Sequence, residues 1–424
     1  MKRAFWAALL SSAFSVSAAQ AQEVVQWWDF LSGGDGARMK QLIDQFNTEH
    51  EGEIQIEATT LEWGTPFYTK VQTSAAVGEG PDVMTYHLSR LPLGVETGTL
   101  SPLTEADMTA AGLAPTDFQQ ANVDAATVDG QMYAVPFDIH SVVLYYNKER
   151  LEAAGLLDAN GLPMGLDGAE EFKAALDKLK EGGLDQPLSI HDSTGDSTWR
   201  IFYSLLNQQG GQFLDENGEF LSGDNLDKAV AATDLMASWV SEGYAPPNIE
   251  YAASIARFTG GEAALHINGV WEVPTMTDLH AKGELFEWGA VQLPVFFDQP
   301  ATWADSHAFA IPNNQGNEMT PERRAAVMQV IGWMAKNSTF WGTAGHLPAY
   351  NPARDTDEFR AMQPNATYSS LAETAAFDPR SPLAGVGSPV YDAAGNFLMP
   401  AVNGELTGQE AMEGMRDDLQ GQAY

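Results

Sequence analysis

The residues that could carry out covalent chemistry form no recognisable catalytic motif in this sequence. The chain has no cysteine, which excludes disulfides, thiolate metal sites and a catalytic thiol. It has no GxxxxGKS or GxxxxGKT for a phosphate, no HExxH for zinc and no GxSxG for a serine nucleophile. The eight histidines are scattered, so their spacing predicts no metal site and no cofactor. Among the 57 acidic residues, a carboxylate pair for glycoside hydrolysis stays open.

Aromatic and polar residues stand side by side where the first three predicted strands end. These residues are Trp28, Asp29, Trp63, Tyr86 and His87. Aromatic rings cover apolar ligand surface, and carboxylates and imidazoles pair with hydroxyl groups. Because the side chains of a strand alternate between two faces, one of Trp27 and Trp28 should enter the core. We expect Trp28, together with Asp29, to face a ligand.

Alternating strand and helix patterns position these residues. Residues 23–28, 53–58 and 82–86 have strand patterns, and apolar residues recur at helical spacing over 39–46 and 66–76. This order predicts an α/β fold in which helices flank a mainly parallel sheet on both faces. In such sheets ligands bind beyond the carboxyl ends of the strands, which is where the aromatic and polar residues stand.

Two later regions depart from this simple alternation. In residues 130–148, two strand-like runs flank a polar stretch that contains Asp138 and His140. This pattern is typical of a strand that leaves one domain and enters another, so we expect both residues to lie where two domains meet a ligand. Residues 355–395 are rich in proline, alanine and glycine, which predicts irregular surface with short helices.

The length and charge of the chain limit its possible partners. Its 424 residues suffice for two or three domains, and 44% hydrophobic residues can form a core. The 57 acidic and 22 basic residues give a net charge of −35. Nucleic acids and anionic membrane surfaces bind clustered basic residues, so the charge argues against both as partners.

The first 21 residues have the pattern of a secretory signal peptide. Lys2 and Arg3 precede an apolar run, and Ala19-Gln20-Ala21 forms a small-x-small cleavage site. Cleavage after Ala21 would start the mature protein at Gln22. No later segment is apolar enough to span a bilayer, and no cysteine is available for a lipid anchor. We therefore expect a periplasmic protein.

Several short motifs, in a fixed order, give the chain a resemblance to a known family. Residues 79–83 are similar to a GxxPDV strand, 98–103 to a GxLxPL turn and 130–156 to a crossing segment with the sequence LYYN. Residues 258–271 are similar to an FxxGxAAMxxxGxW element, and 345–349 complete the order. In these motifs the chain resembles the family 1 extracellular solute-binding proteins, the sugar-binding components of bacterial ABC importers.

The resemblance implies a two-lobed periplasmic-binding-protein fold of the type II-like class. Each lobe would be a mainly parallel sheet flanked by helices, and a multi-strand hinge would join the lobes. The lobes would comprise residues 22–137 with about 295–337, and 138–294 with about 338–424, hinged at 137–142, 291–295 and 337–342.

The resemblance also implies a function without catalysis. The protein would bind a mono- or oligosaccharide without a metal or cofactor, and would deliver it as a monomer to the transmembrane subunits of an ABC permease. Trp271 would lie on the sugar face, and Tyr86 would be a stacking platform. Five further residues are expected to contact the ligand: Trp199, Asn268, Asp305, His307 and His346. Two alternatives stay open: a secreted glycoside hydrolase or lyase, and a binding protein for a polyol or glycerol phosphodiester.

Overall fold

The computed structural model describes residues 22–423. The predicted signal peptide and its cleavage site after Ala21 therefore lie outside the described residues. Within residues 22–423, no helix has both the length and the apolar character that a bilayer crossing requires.

Strands and helices alternate along the chain, as the sequence predicts. The strands are β1 (Glu23–Asp29), β2 (Ile54–Thr60), β3 (Val83–His87), β4 (Thr127–Val128), β5 (Gln131–Met132), β6 (Ala134–Pro136), β7 (Asp138–Asn147), β8 (Leu188–Ile190), β9 (Leu265–Gly269), β10 (Trp288–Gln292), β11 (Thr302–Asp305), β12 (His307–Ala310), β13 (Leu347–Pro348) and β14 (Ala375–Phe377). The α-helices are α1 (Gly33–Glu49), α2 (Thr65–Ala76), α3 (Leu91–Glu96), α4 (Glu105–Ala111), α5 (Gln120–Ala125), α6 (Lys148–Ala153), α7 (Ala169–Glu181), α8 (Gly195–Gln208), α9 (Asn225–Ser241), α10 (Tyr251–Thr259), α11 (Val273–Ala281), α12 (Pro321–Lys336), α13 (Ser338–Trp341), α14 (Asn351–Arg354), α15 (Asp357–Ala361), α16 (Asn365–Tyr368), α17 (Leu371–Thr374), α18 (Pro389–Ala393), α19 (Met399–Val402) and α20 (Gly408–Gln422).

The first lobe is built on a mixed sheet with the strand order β2-β1-β3-β12-β6. β1 runs parallel to β2 and β3, while β12 runs antiparallel to β3 and β6. Val25 and Trp27 point from β1 into the core, where both are fully buried. Trp27 also makes an edge contact with Phe309 of β12, with 5.1 Å between ring centroids. Because alternate side chains face opposite ways, Trp28 does not enter this core.

The second lobe is organised around β7, the long crossing strand. β7 pairs antiparallel with β9, β10, β11 and β13, and the sheet continues through β8 and β14. All ten residues of β7 are buried, so both faces of the strand are covered. The sheets of both lobes are thus mixed, whereas the sequence predicts mainly parallel ones. The alternation of strands and helices along the sequence does not show whether a strand from a distant part of the chain pairs parallel or antiparallel.

The chain passes between the two sheets three times, at Phe137, at Ser306 and through the helices between β12 and β13. Phe137 joins β6 of the first sheet to β7 of the second, and Ser306 joins β11 to β12. The first crossing lies where the sequence predicts a hinge. β11 lies within the span 295–337 that we assigned to the first lobe, but it pairs with β7. Ser306, and not residue 295, therefore separates the two sheets in this part of the chain.

The segment 355–395 contributes to the core, although its composition predicts irregular surface. Its short helices are present, but Tyr368 and Val390 are fully buried. The buried carboxylate of Asp378 accepts hydrogen bonds from the indoles of Trp199 and Trp303. The segment therefore fixes two aromatic residues of the second lobe.

Candidate functional site

A cavity of about 520 Å³ lies between the lobes, next to the crossings at Phe137 and Ser306. Aromatic side chains of both lobes and many titratable groups line it. The aromatic residues are Phe30, Trp63, Tyr251, Trp271 and Trp303, the imidazoles are His87, His140, His191 and His307, and the other charged side chains are Asp35, Asp196, Arg200 and Glu272. A cavity of this size, with a few polar groups between aromatic walls, is typical of a small-molecule site.

Trp271 stands in a 3₁₀ turn (Val270–Glu272) directly after β9. Its Nε1–H donates to the Tyr251 hydroxyl over 2.8 Å, which fixes the plane of the indole. The ring of Trp303 lies almost perpendicular to it, at an angle of 86° and with 6.5 Å between centroids. Trp63, which follows β2 in the first lobe, is 41% exposed. The cavity therefore offers ring faces from both lobes to the apolar surface of a ligand.

Arg200 of α8 brings a cation into this aromatic wall. Its guanidinium carbon lies 5.0 Å from the ring centroid of Trp303, 5.1 Å from that of Trp271 and 5.8 Å from that of Trp63. Its Nη2 lies 3.2 Å from Oδ2 of Asp196, and the residue is only 7% exposed. Within the described chain, its Nε has no hydrogen-bond partner. Buried donors normally have partners, so Arg200 keeps donor capacity for a ligand.

Asp138, the first residue of β7, is the centre of a buried network beneath the cavity. Its Oδ1 accepts hydrogen bonds from Nδ1 of His140 at 3.0 Å and from the backbone of His307 at 2.9 Å. Its Oδ2 accepts from Nδ1 of His307 at 2.8 Å and from Nε1 of Trp341 at 2.7 Å. Burial raises the pKa of Asp138, but His307, His346 and the hydrogen bonds hold it well below its usual range. The carboxylate is therefore ionised and accepts on both oxygens.

His346 lies behind the cavity, between carboxylates that come from different elements. Its Nε2 is 3.0 Å from Oδ2 of Asp35 in α1, and its Nδ1 is 3.1 Å from Oδ2 of Asp138. Burial lowers the pKa of His346, but Asp35 and Asp138 outweigh it and raise the value to about 10. The resulting imidazolium ties the start of α1 to the hinge.

We expect the protein to lose stability as the pH rises from about 7 to 10. The pKa of His346 moves from 6.5 to about 10 on folding. Its stabilising contribution is therefore complete below pH 6.5 and is lost as the pH rises towards 10. One such proton changes the free energy of unfolding by up to about 1.4 kcal/mol per pH unit.

Thermal unfolding across this pH range would measure the slope. His346→Gln should remove most of it, whereas His280→Gln, which changes an exposed imidazole, should leave it in place. The same slope in His346→Gln as in the unchanged protein would contradict this prediction.

Four residues of the buried network also bring possible metal-ligating atoms together. Each residue offers one atom, a carboxylate oxygen or a ring nitrogen, and the four atoms lie within 4.8 Å of one another; the residues are Asp138, His140, His307 and His346. However, both oxygens of Asp138 already accept N–H groups, and His346 is protonated. These residues are thus arranged as a hydrogen-bonded network, and the expectation that the protein needs no metal stays a prediction.

Comparison with known proteins identifies the family. Residues 41–371 match the family model described as bacterial extracellular solute-binding protein. The chain belongs to this family. This solute-binding protein is 27% identical over 318 residues to the lactose-binding protein of Rhizobium radiobacter, which covers 72% of this chain and 69% of the relative. It is 25% identical over 381 residues to the maltodextrin-binding protein of Bacillus subtilis, which covers 84% and 82% of the two chains.

The fold also has close counterparts among solved structures. Maltose-bound MalE3 of T. maritima has a TM-score of 0.79 to this solute-binding protein, with 20% identity and coverage of 94% and 99% of the two chains. The unliganded and acarbose-bound GacH receptor of Streptomyces glaucescens also has a TM-score of 0.79, with 18% identity and coverage of 95% and 98%. The predicted family and the predicted two-lobed fold are thus confirmed.

Seven of the predicted ligand residues of this solute-binding protein lie at the cavity or in the network beneath it. The residues that line the cavity are Trp63, His87, His140, Trp271 and His307. Asp138 and His346 lie one layer deeper, where they can orient the lining imidazoles but are themselves fully buried.

Trp28 and Asp29 lie away from the cavity, which corrects their assignment as ligand residues. The ring of Trp28 faces Nζ of Lys70 at 5.6 Å, on the face of β1 opposite the core. Asp29 accepts a hydrogen bond from the backbone of Leu31, within the turn that follows the strand. Phe30, one residue after β1, lines the cavity instead. The predicted strand end is right, but the bend after it exposes a different side chain.

Tyr86 and Trp199 are core residues and not stacking platforms. Tyr86 is 3% exposed, and its ring packs edge-on against Tyr68 with 5.2 Å between centroids. Trp199 is fully buried, and its Nε1 donates to Asp378 over 2.7 Å. On β3 the neighbouring side chain, His87, faces the cavity, so strand alternation turns Tyr86 inward.

Asn268 and Asp305 are occupied by neighbours in the fold, which likewise corrects their assignment. The amide of Asn268 lies 3.1 Å from Nε2 of His266 in the same strand. Asp305 accepts hydrogen bonds from the backbone and hydroxyl of Ser89, so it joins the lobes at the second crossing. Burial raises the pKa of Asp305 to about 7.

Arg200, Trp303 and Tyr251 are cavity residues that the sequence did not single out. They stand on α8, β11 and α10, whose patterns resemble those of ordinary packed elements. The glycines at the start of α1 are a local sequence signal for this part of the cavity, which Gly33 and Gly34 line. Gly33 has a φ of 58°, which favours glycine and lets the chain enter α1 beside the cavity.

An ion pair joins the two lobes outside the cavity. Arg38 of α1 pairs with Asp278 of α11 through both carboxylate oxygens, at 2.9 and 3.3 Å. We expect Asp278→Asn to weaken ligand affinity by up to about fivefold, because exposed pairs contribute about 0.2–1 kcal/mol. The difference should disappear at high salt, where exposed charges are screened. Calorimetric titrations at two salt concentrations would measure it, with Asp44→Asn, a change within α1, as the control.

Proposed function

We propose that this solute-binding protein captures a sugar between its lobes and delivers it to the transmembrane subunits of an ABC permease. The observation that carries this proposal is the combination of indole faces from both lobes with a dense set of hydrogen-bonding groups. A pyranose has two C–H faces and a rim of hydroxyls that both donate and accept. Trp63 and Trp271 supply aromatic ring faces that can stack on the C–H faces of the sugar.

The polar lining of the cavity supports a hydroxyl-rich ligand. Arg200 has donors to offer, Asp35 and Glu272 have acceptors, and the imidazoles of His87 and His140 add one or the other. Stripping water from a hydroxyl without replacing its hydrogen bonds costs about 1–3 kcal/mol. Micromolar affinity needs a binding free energy of about −8 kcal/mol, which a few stacked rings and charge-assisted hydrogen bonds can supply.

Transport follows from the two-lobed arrangement. A ligand that contacts both lobes stabilises the closed form over the open form, and a permease that recognises the closed form thereby senses the loaded protein. The predicted signal peptide supports a periplasmic location. We expect neither the capture of the sugar nor the recognition of the closed form by the permease to require a cofactor in this protein. We expect a monomer, since one chain contains both walls of the cavity.

Thermal-shift screening followed by calorimetry tests the proposal. The screen contains glucose, galactose, lactose, maltose, maltotriose, mannitol and a glycerol phosphodiester. A ligand that binds only the folded state raises the melting temperature, so at least one sugar should do so and should then give a titration curve. A response to mannitol or to the phosphodiester alone, or no response at all, would overturn the proposal of a sugar.

The secreted hydrolase or lyase is distinguished by the fate of the sugar. The carboxylates of Asp35, Asp196 and Glu272 are the cavity groups that could act as acid and base. Incubation of the oligosaccharides with the protein should leave them intact. Accumulation of shorter sugars, above the amount formed with heat-denatured protein, would replace the binding proposal with an enzymatic one.

A further inference from the structure

His140 and His307 hold their protons in a defined position. Together with His87 they form what we call the cavity floor. Nδ1 of His140 lies 3.0 Å from one oxygen of Asp138, and Nδ1 of His307 lies 2.8 Å from the other. Because an ionised carboxylate only accepts, both Nδ1 atoms carry the proton.

The second ring nitrogen then becomes an acceptor. Burial and the neighbouring His307 lower the pKa of His140 to about 3, so the ring is neutral at neutral pH. With the proton on Nδ1, its Nε2 has a free lone pair on a ring that lines the cavity. His307 also keeps its Nδ1 proton on Asp138, so in the neutral form of this ring Nε2 is the acceptor.

His87 has the opposite arrangement. Its backbone N–H donates to the Tyr68 hydroxyl at 3.4 Å, and the same hydroxyl lies 2.6 Å from Nδ1 of His87. Within residues 22–423 this hydroxyl has no other acceptor, so it donates to Nδ1. Burial and His307 lower the pKa of His87 well below its usual range. The neutral ring therefore carries its proton on Nε2 and is a donor.

The three rings are close enough to contact one edge of a sugar. The ring centroids of His140 and His307 are 4.3 Å apart, and those of His87 lie 5.0 Å from His307 and 5.7 Å from His140. Neighbouring hydroxyls can each give a proton to an acceptor nitrogen, while one of them accepts from the donor nitrogen. An ionised carboxylate or a phosphodiester group has no proton to give.

We propose that Asp138 is a positioning residue that makes this cavity select uncharged sugar hydroxyls over anionic groups, an inference that rests on the proposed sugar-binding function. The carboxylate keeps the protons of His140 and His307 on Nδ1, so the cavity floor accepts two hydroxyl protons. The charge around the cavity also disfavours anions, because its described lining residues include three carboxylates but only one guanidinium, that of Arg200.

Nitrogen NMR of the histidine rings in the ligand-free protein tests the proton positions. His140 and His307 should be protonated on Nδ1 only, and His87 on Nε2 only. Asn has one accepting oxygen and one donating amide in place of two accepting oxygens. In Asp138→Asn, one of the two histidines should therefore move its proton to Nε2.

The control is Asp305→Asn, which changes an equally buried carboxylate at the second crossing. One of its oxygens lies within 4.8 Å of ring nitrogens of His87 and His140, but within the described residues it accepts hydrogen bonds from Ser89 and Ser306 and from no histidine. In this variant the protons of the three rings should stay on the same nitrogens as in the unchanged protein. Protonation of Nε2 in both His140 and His307 of the unchanged protein would overturn the proposal, and this measurement does not require Asp138→Asn to fold.

Binding measurements separate a positioning role from a structural one. The probes are glucose and galactose, each compared with its uronic acid, which differs by one carboxylate. The unchanged protein should bind at least one neutral sugar at least tenfold more tightly than its uronic acid. Asp138→Asn should lose at least tenfold in affinity for that sugar, and Asp305→Asn should not.

The outcomes also separate this inference from the proposed function. Equal or tighter binding of the uronic acids would overturn the selectivity for uncharged hydroxyls. If the screen finds no sugar at all while the proton positions are as expected, the proposed function fails and the arrangement of the cavity floor stands.

Discussion

Replacing Trp271 with alanine should weaken sugar binding at least tenfold, which corresponds to about 1.4 kcal/mol. The indole is held in place by its hydrogen bond to Tyr251 and turns toward the cavity, so its loss removes a stacking surface that is already ordered. The ring is only partly buried, and the melting temperature of the ligand-free protein should therefore change little. Calorimetry with the sugar from the screen and thermal unfolding measure the two effects.

Two companion variants separate stacking from general damage to the fold. Trp28→Ala removes another partly buried indole, but one that lies away from the cavity, and should leave the affinity unchanged. Gly269→Ala would place a methyl group 2.2 Å from atoms of the Trp271 ring. This variant should displace the ring and weaken binding although Trp271 itself is retained. Unchanged affinity in both Trp271→Ala and Gly269→Ala would remove Trp271 from the site.

Arg200→Met should weaken binding, per folded molecule, by between about tenfold and a hundredfold. Hydrogen bonds from a charged donor contribute about 1.5–3 kcal/mol, and Arg200 is the guanidinium that the cavity offers to a ligand. Within the described residues its Nε has no partner, but its Nη2 pairs with Asp196, so the ligand-free protein should also lose some stability when the guanidinium is removed. Methionine keeps an unbranched apolar contact with the indoles of Trp271 and Trp303.

Arg257→Met is the matched control, because Arg257 also has a buried Nε without a partner within the described chain. It lies on α10, where its guanidinium contacts Glu262 and the backbone of Gln186. This variant should bind sugar as the unchanged protein does. A large fall in melting temperature for Arg200→Met, with affinity per folded molecule preserved, would show that Arg200 serves the fold and not the ligand.

Much of the cavity could be predicted from the positions of strand ends and from the motifs around the crossings. His87 follows from the end of β3, His140 from the polar stretch between two strand-like runs, and Trp271 from the element after β9. These residues could be placed at the cavity because strand ends and crossings are local features, and in an α/β fold they meet at the same edge.

The failures share a physical cause. Tyr86 and Trp199 have the right chemistry at the right end of an element, but each is rotated into the core, where it is buried. Whether an aromatic ring faces a cleft or a core depends on the elements that pack against it, and the sequence of one strand or helix does not specify these. For Trp199 the deciding partner is Asp378, which is 179 residues away.

The sequence by itself determined the family, the two-lobed architecture, the first crossing at Phe137 and the absence of thiol chemistry. These properties are encoded in local patterns, motif order and composition. Only the tertiary structure decided that Arg200 and Trp303 line the cavity, that Asp138 lies beneath it and that His346 pairs with Asp35. Such contacts join residues that are far apart in the chain, and a buried charge takes its role from the groups that surround it in space.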